Sequence, residues 1–220
     1  MTRAEGEIVL AKIRPYRPED LEDLYRICLL TGDSGADATD HYEDPRIIGD
    51  LYAAPYGVLS PECALVIEDE EGVAGYIVGT PDTAAFEARL EAEWWPHLRE
   101  IYPDPAKVPR AQRTWDQHRA RQIHRPIGTP SEVVKPFPAH LHIDMVPRVQ
   151  GRGFGKRLID RWLGIVHGMG ARGVHLGVGE GNKRAVRFYN AYGFQRLELP
   201  QYPGALWFTT TDLAGREERG

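Results

Sequence analysis

The chain has 220 residues, of which 42% are hydrophobic and 27% are charged, and its formal net charge is −5 at pH 7. This composition is typical of a globular protein, and we expect a single domain over residues 1–220. The acidic balance excludes the general basic surface used to bind nucleic acids or anionic lipids. No apolar run is long enough to span a membrane, and the polar N-terminus is unlike a signal peptide.

The cysteine content indicates a reducing compartment. The chain has two cysteines, Cys28 and Cys63, which is too few for the disulfide framework of a small secreted protein. We therefore expect free thiols in a cytoplasmic protein, with no nucleic-acid or membrane partner. Both a monomer and a homodimer are compatible with the sequence.

The first 80 residues alternate between strand and helix patterns. A strand is predicted over 7–17, and a helix follows "RPED", with Leu21, Leu24, Ile27 and Cys28 on one face. The glycine-rich, acidic segment 31–45 is predicted to be a loop. A second helix is expected to end near Pro55, and 63–80 reads as a β-hairpin.

Residues 82–138 form a long insertion that contains helical segments and many prolines. Its tryptophans, Trp94, Trp95 and Trp115, either cover a substrate cleft or pack in the core, and packing is the commoner use. The stretch 103–138 has no strong periodicity. It is either a cover over a cleft or a solvated connection.

The C-terminal part begins with a predicted strand at 139–146, a glycine turn and an amphipathic helix. A further strand, a helix and two final strands follow. Hairpins and crossovers therefore occur in one chain. This mixture predicts an α/β (α+β) fold, with a mixed, mostly antiparallel central sheet flanked by helices.

The glycine turn at the start of that helix is the strongest local signal. Gly151, Gly153 and Gly155 lie where unpaired helix N–H groups can hold an anion, and Arg152, Lys156 and Arg157 add positive charge. The turn matches neither a P-loop nor the dinucleotide-binding fingerprint. A turn that only packs the helix on the sheet is the structural alternative.

A second motif helps to decide whether the turn is an anion site or only packs the helix on the sheet. "QGRGFG" at 150–155 fits the pattern Q/R-x-x-G-x-G/A, and "NKRAVRFYNAYGF" at 182–194 follows about thirty residues later. Together these segments resemble the GNAT superfamily of acyl-CoA-dependent N-acetyltransferases, and the resemblance covers most of the chain outside the insertion. Residues 24–37 and the insertion also resemble the acetyltransferase-like domain of O-GlcNAcase proteins, which need not be catalytically active.

The resemblance implies acetyl-CoA as cosubstrate, without a metal ion. It places the pantetheine arm along the strand and the pyrophosphate on the glycine turn, while Asn182 and its helix hold the rest. The implied cofactor-binding residues are Ile143, Asp144, Met145, Gln150, Gly151, Arg152, Gly153, Phe154, Gly155, Lys156, Asn182, Ala185 and Tyr189.

The resemblance also implies a catalytic acid, because Tyr189 occupies the family's proton-donor position; a buried aromatic is the alternative. For the base, the period of two in "HLHIDMV" puts His140, His142 and Asp144 on one strand face. His142 is the first candidate and His140 the second, while Asp144 orients a histidine or binds the substrate ammonium. These residues could instead simply face solvent.

The acceptor is expected to be a primary amine on a small molecule or a protein. Asp33, Asp37 and Asp40, in the loop after the first helix, are candidates for attracting a cationic acceptor. Such acidic runs are more often solvated loops. The main functional hypothesis is therefore an acetyl-CoA-dependent N-acetyltransferase that acts by direct attack in a ternary complex. The alternative is a catalytically inactive acetyl-CoA-binding or interaction module.

Overall fold

The computed structural model describes residues 11–201 and 205–213, and its centre is a seven-stranded sheet. The strands lie in the order β1-β2-β3-β4-β5-β7-β6, and every neighbouring pair is antiparallel except β4 with β5. Their bounds are Lys12–Pro15 (β1), Leu65–Asp69 (β2), Gly72–Thr80 (β3), Ala139–Met145 (β4), Val174–Gly179 (β5), Gln195–Leu197 (β6) and Ala205–Thr210 (β7). The predicted mixed, mostly antiparallel sheet is confirmed. The start of the predicted first strand, 7–10, lies outside the described residues.

Nine α-helices lie within the described part of the chain. They are Leu21–Leu30 (α1), Ile47–Tyr52 (α2), Ala54–Leu59 (α3), Thr83–Arg89 (α4), Trp95–Ile101 (α5), Trp115–His124 (α6), Ser131–Val134 (α7), Phe154–Gly168 (α8) and Lys183–Tyr192 (α9). The predicted end of the second helix near Pro55 is confirmed, because α2 ends at Tyr52. The sequence did not predict the separate helix α3, whose first turn contains Pro55, where a missing N–H would have no intrahelical partner.

The two faces of the sheet are covered by different helices. On one face, a Cβ added at Gly79 would lie 2.5 Å from Trp162 of α8. Trp162 is fully buried and donates a hydrogen bond from Nε1 to the carbonyl of Cys63 at 2.8 Å. The opposite face of β4 packs against aromatic side chains of α2, α3 and α4. Because both faces are covered, the even-numbered side chains of β4 do not lie on an open solvent face.

The insertion folds as helices that pack on the N-terminal part. The α6 helix begins with a capping box, in which the side chains of Thr114 and Gln117 each accept a hydrogen bond from the other's backbone N–H. Trp95 is buried in the core, and Trp94 donates from Nε1 to the carbonyl of Asp50 at 2.9 Å. Trp115 is 45% exposed and stacks on a histidine of the acidic loop. The tryptophans therefore serve packing, while α6 comes close to α2.

Both cysteines, Cys28 and Cys63, are buried free thiols. Burial raises the pKa of both thiols, so they remain protonated near neutral pH.

Candidate functional site

The site begins where β4 and β5 separate. The two parallel strands pair only at Ala139 with Val174 and at His140 with His175. The N–H of Ala139 donates toward β5, to the Gly173 carbonyl at 3.1 Å. Alternation along the strand therefore directs the backbone groups of residues 141, 143 and 145 toward the same edge. Within the described part of the chain no strand covers that edge, and an extended ligand has backbone partners there.

The glycine turn, residues 150–155, lies at the end of β4, next to the strand edge that β5 leaves uncovered. Gly151 and Gly153 have φ of +73° and +79°, a left-handed conformation that favours glycine. Gly155 allows close packing instead, because a Cβ there would lie 3.1 Å from Phe188 and 3.2 Å from Met145. No side chain caps α8, so the N–H groups of its first turn are left for an anion or water.

These elements enclose a cleft of about 680 Å³. It contains eleven of the thirteen residues that the family resemblance assigned to acetyl-CoA, which are Ile143, Asp144, Met145, Gln150, Gly151, Gly153, Gly155, Lys156, Asn182, Ala185 and Tyr189. Arg152 and Phe154 are not in its wall. Phe154 is buried because it is the first residue of α8 and its ring turns into the core, whereas Arg152 is exposed.

Side-chain contacts hold the turn in place. Gln150 donates from Nε2 to the carbonyl of Met145 at 2.5 Å, which ties the turn to the end of β4. Arg148 forms two hydrogen bonds with the carboxylate of Asp69, at 2.8 and 3.2 Å, and so links the preceding segment to the β2–β3 hairpin. Lys156 lines the cleft while its ammonium pairs with Asp160 at 2.7 Å. The turn is therefore fixed before any ligand binds.

The α9 helix supplies the opposite wall. Asn182 caps it by accepting a hydrogen bond from the Ala185 N–H at 3.0 Å. Tyr189 is 7% exposed, and its hydroxyl has no hydrogen-bond partner among the described residues but is not sealed from the cleft. Burial, with a smaller contribution from the Asp144 carboxylate, raises the pKa of Tyr189. The phenol therefore stays protonated at neutral pH and can donate a proton.

The two histidines of β4 have different surroundings. His140 is bound at both ring nitrogens, by Tyr56 Oη at 2.7 Å and by Thr83 Oγ1 at 2.7 Å, and it is not in the cleft wall. His142 lines the cleft, and neither of its ring nitrogens has a hydrogen-bond partner within the described residues. Of these two histidines, His142 is therefore the one whose imidazole has no hydrogen-bond partner in the described residues.

Burial among protein atoms changes how these imidazoles titrate. It lowers the pKa of His142 to about 4, with a smaller contribution from His175, and it holds the pKa of His140 well below its usual value. Both rings are therefore neutral at physiological pH.

Asp144 completes the predicted strand face. Its carboxylate accepts a hydrogen bond from Tyr76 Oη at 2.7 Å, and no hydrogen bond joins it to either histidine within the described residues. Burial raises its pKa, although the hydrogen bond from Tyr76 opposes that shift. Asp144 therefore does not orient His142 in this structure.

The three aspartates of the acidic loop lie outside the cleft wall. Asp37 accepts hydrogen bonds from the backbone and hydroxyl of Thr39, and Asp33 pairs with His41 at 3.4 Å. Asp40 is exposed on the short turn beside them. None of the three aspartates is among the residues that line the cleft, whereas Ser34 and Gly35 of the same loop are.

A further group of cleft residues was not predicted from the sequence to belong to the site. These are Cys28, Thr31, Gly32, Ser34, Gly35, Ile48, Tyr52, Arg119, Gly179, Arg184 and Phe188. Most come from α1, the acidic loop and α2, and Arg119 comes from α6 of the insertion. No short motif joins the members from α1, the acidic loop, α2 and α6, whereas Phe188 of α9 packs beside Gly155 of the glycine turn.

No group of three or more His, Cys, Asp or Glu side chains within 11–201 and 205–213 is placed to hold a metal ion. No helix in the same ranges is long and apolar enough to cross a membrane.

Known proteins are similar to this chain in sequence and in fold. The Acetyltransferase (GNAT) family model matches residues 125–194. The solved structure of SsHAT is 36% identical, with a TM-score of 0.82, and the match covers 91% of this chain and 98% of that chain. A GNAT superfamily phosphinothricin acetyltransferase from Sinorhizobium meliloti, solved with acetyl-CoA, is 14% identical with a TM-score of 0.52 over 91% of this chain and 87% of its own, which shows a shared fold.

Among curated proteins, the Protein O-GlcNAcase of Rattus norvegicus and that of Mus musculus are each 27% identical over 196 residues. The match covers 87% of this chain but 21% of either relative, so the chain spans about a fifth of their length. The resemblance inferred from the glycine turn and the α9 motif is thus confirmed, and the chain belongs to the acetyltransferase (GNAT) family.

Proposed function

We propose that the protein is an N-acetyltransferase that moves the acetyl group of acetyl-CoA to a primary amine, by direct attack within a ternary complex. One observation carries the proposal: the open edge of β4, the glycine turn and Tyr189 all face a single cleft of about 680 Å³. The acetyl-CoA bound to the phosphinothricin acetyltransferase of the same fold supports this choice of cosubstrate.

The residues present fit acetyl-CoA. The exposed backbone edge at Ile143 and Met145 suits the amide groups of pantetheine, because an extended chain pairs with a strand edge. The N–H groups at Gly153 and in the first turn of α8 suit the pyrophosphate, and Lys156 and Arg184 add positive charge beside it. This places the thioester beside the end of β4.

The reaction forms one bond and breaks another. The amine nitrogen attacks the thioester carbonyl, which forms the C–N bond and places negative charge on the carbonyl oxygen. The N–H of Met145 lies on the open edge of β4 and is our candidate donor to that oxygen. When the C–S bond breaks, the sulfur takes a proton and the nitrogen loses one, so the overall proton count is unchanged.

Tyr189 is proposed as the acid. Its hydroxyl faces the cleft without a partner in the described residues, and burial keeps it protonated at neutral pH by raising its pKa. A thiolate released into the same desolvated cleft is also a stronger base than in water, so it can take this proton. A positioned acid of this kind contributes roughly 10²–10⁴-fold to the rate.

His142 is proposed as the base, and its low pKa limits when it acts. An alkylamine has a pKa near 10.4, so an imidazole with a pKa of about 4 cannot deprotonate the free ammonium efficiently. It can accept the proton after attack, when the nitrogen has become far more acidic. The amine must therefore enter the cleft in its neutral form.

The test is the release of free coenzyme A thiol from acetyl-CoA in the presence of a panel of primary amines. We expect release that depends on one class of amine, with acetylated amine found in equal amount by mass spectrometry. Tight acetyl-CoA binding with no release for any amine would favour the non-catalytic binding module instead.

A further inference from the structure

Arg119 places a positive charge in the part of the cleft lined by α1, the acidic loop, α2 and α6, which we call the acceptor half. It lies in α6 of the insertion and lines the cleft together with Tyr52 and His142. Its hydrogen bonds all go to neutral acceptors: Nε to Tyr42 Oη at 2.9 Å, and Nη1 to Tyr52 Oη at 3.1 Å and to Gln122 Oε1 at 3.2 Å. No carboxylate forms an ion pair with it in the part of the chain that the structure describes.

Two other partly buried arginines, Arg14 and Arg148, have carboxylate partners. Arg14, whose side chain is 11% exposed, pairs with Asp20 at 2.7 Å and with Glu68 at 3.0 Å. Arg148 pairs with the buried carboxylate of Asp69. A partly buried guanidinium without a counter-ion is costly, so Arg119 stands apart from these two. Its missing counter-ion is expected to come from a ligand.

The guanidinium also has a free donor. Nη2 of Arg119 donates to no described residue, and it is not among the buried atoms that lack a partner, so solvent reaches it. A planar guanidinium fixed by three hydrogen bonds, with one nitrogen still available, is well suited to bind an oxyanion. Fixing by Tyr42, Tyr52 and Gln122 also reduces the entropy lost on binding.

The position of Arg119 relative to the reacting groups follows from Tyr52. The Tyr52 hydroxyl accepts from Arg119, while its ring centroid lies 5.9 Å from that of His142. One tyrosine side chain therefore separates the guanidinium from the proposed base. An acceptor whose amine meets His142 would have its next functional group near Arg119.

We propose that the acceptor is an amine that also carries an oxyanion, either a carboxylate or a phosphate, and that Arg119 binds this oxyanion. The proposal rests on the acetyl-transfer function proposed above and names the substrate class of that same cleft. It replaces the expectation of a purely cationic acceptor, because such a molecule would meet an unmatched positive charge.

The experiment compares matched amines. Ethanolamine with phosphoethanolamine tests a phosphate, and β-alaninamide with β-alanine tests a carboxylate, each by acetyl-CoA-dependent thiol release. We expect a kcat/KM roughly 10- to 100-fold higher for the charged member of at least one pair, as for a charge-assisted hydrogen bond. In Arg119→Met this preference is lost through a rise in KM for the charged member of the pair.

Arg121→Met is the matched control, because Arg121 lies on the same helix, pairs with Asp104 at 3.3 Å and does not line the cleft. It should keep the wild-type preference. Arg119→Lys keeps the charge and should retain part of the preference, which also covers the case in which Arg119→Met does not fold. An equal loss of activity on both members of each pair in Arg119→Met would show a merely structural arginine and overturn the proposal.

A second readout separates the two proposals. The ³¹P line of phosphoethanolamine and the ¹H lines of β-alanine are followed with the protein saturated with coenzyme A, so that the glycine turn is occupied. We expect broadening of one of them with wild type and Arg121→Met, but not with Arg119→Met. Amine acetylation without any preference for charged members refutes only the oxyanion proposal. Broadening without acetylation refutes only the acetyl-transfer function, and neither signal in wild type refutes both.

Discussion

The two halves of the cleft are built in different ways. The cofactor half uses backbone groups of consecutive segments: the β4 edge, the glycine turn and the first turn of α8. The acceptor half uses residues of the consecutive segments α1, acidic loop and α2, together with Arg119 of α6, which lies 67 positions after Tyr52. A backbone site needs glycines at fixed spacing and so leaves a motif in the sequence. A site made of side chains without such fixed spacing leaves none.

The largest effect is expected from a substitution in the cofactor half. Gly153→Glu forces a non-glycine residue into φ +79° and puts a carboxylate beside the anion site. We expect acetyl-CoA affinity to fall by at least about 100-fold in calorimetric titration, since strain and like-charge repulsion add. Gly164→Glu is the control, because Gly164 is an exposed position of α8 with open space around it. Equal affinity in the two variants would contradict the assigned turn.

Tyr189→Phe tests the chemistry at the boundary between the halves. Removal of the hydroxyl leaves the ring packing against Phe208 and Phe194 in place. We expect kcat to fall by roughly 10²–10³-fold with little change in acetyl-CoA affinity, because only the proton donor is lost. Tyr192→Phe, on the same helix but outside the cleft wall, should keep the wild-type kcat. A wild-type rate in Tyr189→Phe would show that Tyr189 is not the acid.

His142→Ala tests the base in the acceptor half. We expect kcat to fall by roughly 10²-fold between pH 6 and 8. Since the pKa of His142 is about 4, wild-type activity should be lost by its protonation only as the pH falls toward 4, and not around pH 6.5. His167→Ala, an exposed histidine of α8, is the control. A wild-type inflection near pH 6.5 that disappears in His142→Ala would show an ordinary imidazole and a solvated site.

The smallest effect concerns the acidic loop. Asp40 is exposed, outside the cleft wall and screened by solvent. We therefore expect Asp40→Asn to change kcat/KM for any accepted amine by less than about threefold at physiological salt. A larger drop for cationic amines alone would restore the loop as an element that attracts the acceptor.

The fold, and the segments that make up the cofactor half, could be predicted from the sequence for a physical reason. Period-two and period-3.6 patterns depend on local geometry, so β4, α8 and the hairpin could be found before any contact was known. The start of α3 at Ala54 was not predicted, because a proline ends one helix and begins another equally well, and only packing decides. The cofactor-binding role of Phe154 stays a prediction, since its ring is buried while its backbone N–H lies in the first turn of α8.

The acceptor half depended on contacts that no pattern encodes. The period of two placed His140 and His142 on one face, but it could not distinguish them. That difference comes from Tyr56 and Thr83, which bind His140 from distant segments. Arg119 was missed for the same reason, because its partner Tyr52 lies 67 positions away in sequence.

The most direct test of the central claim is calorimetric titration of the protein with acetyl-CoA, with ATP as the control ligand. The account predicts one-to-one binding of acetyl-CoA and much weaker binding of ATP, because the β4 edge has partners for pantetheine that ATP lacks. Absence of acetyl-CoA binding, or equal affinity for ATP, would contradict it and leave the glycine turn as a packing element or a general phosphate site.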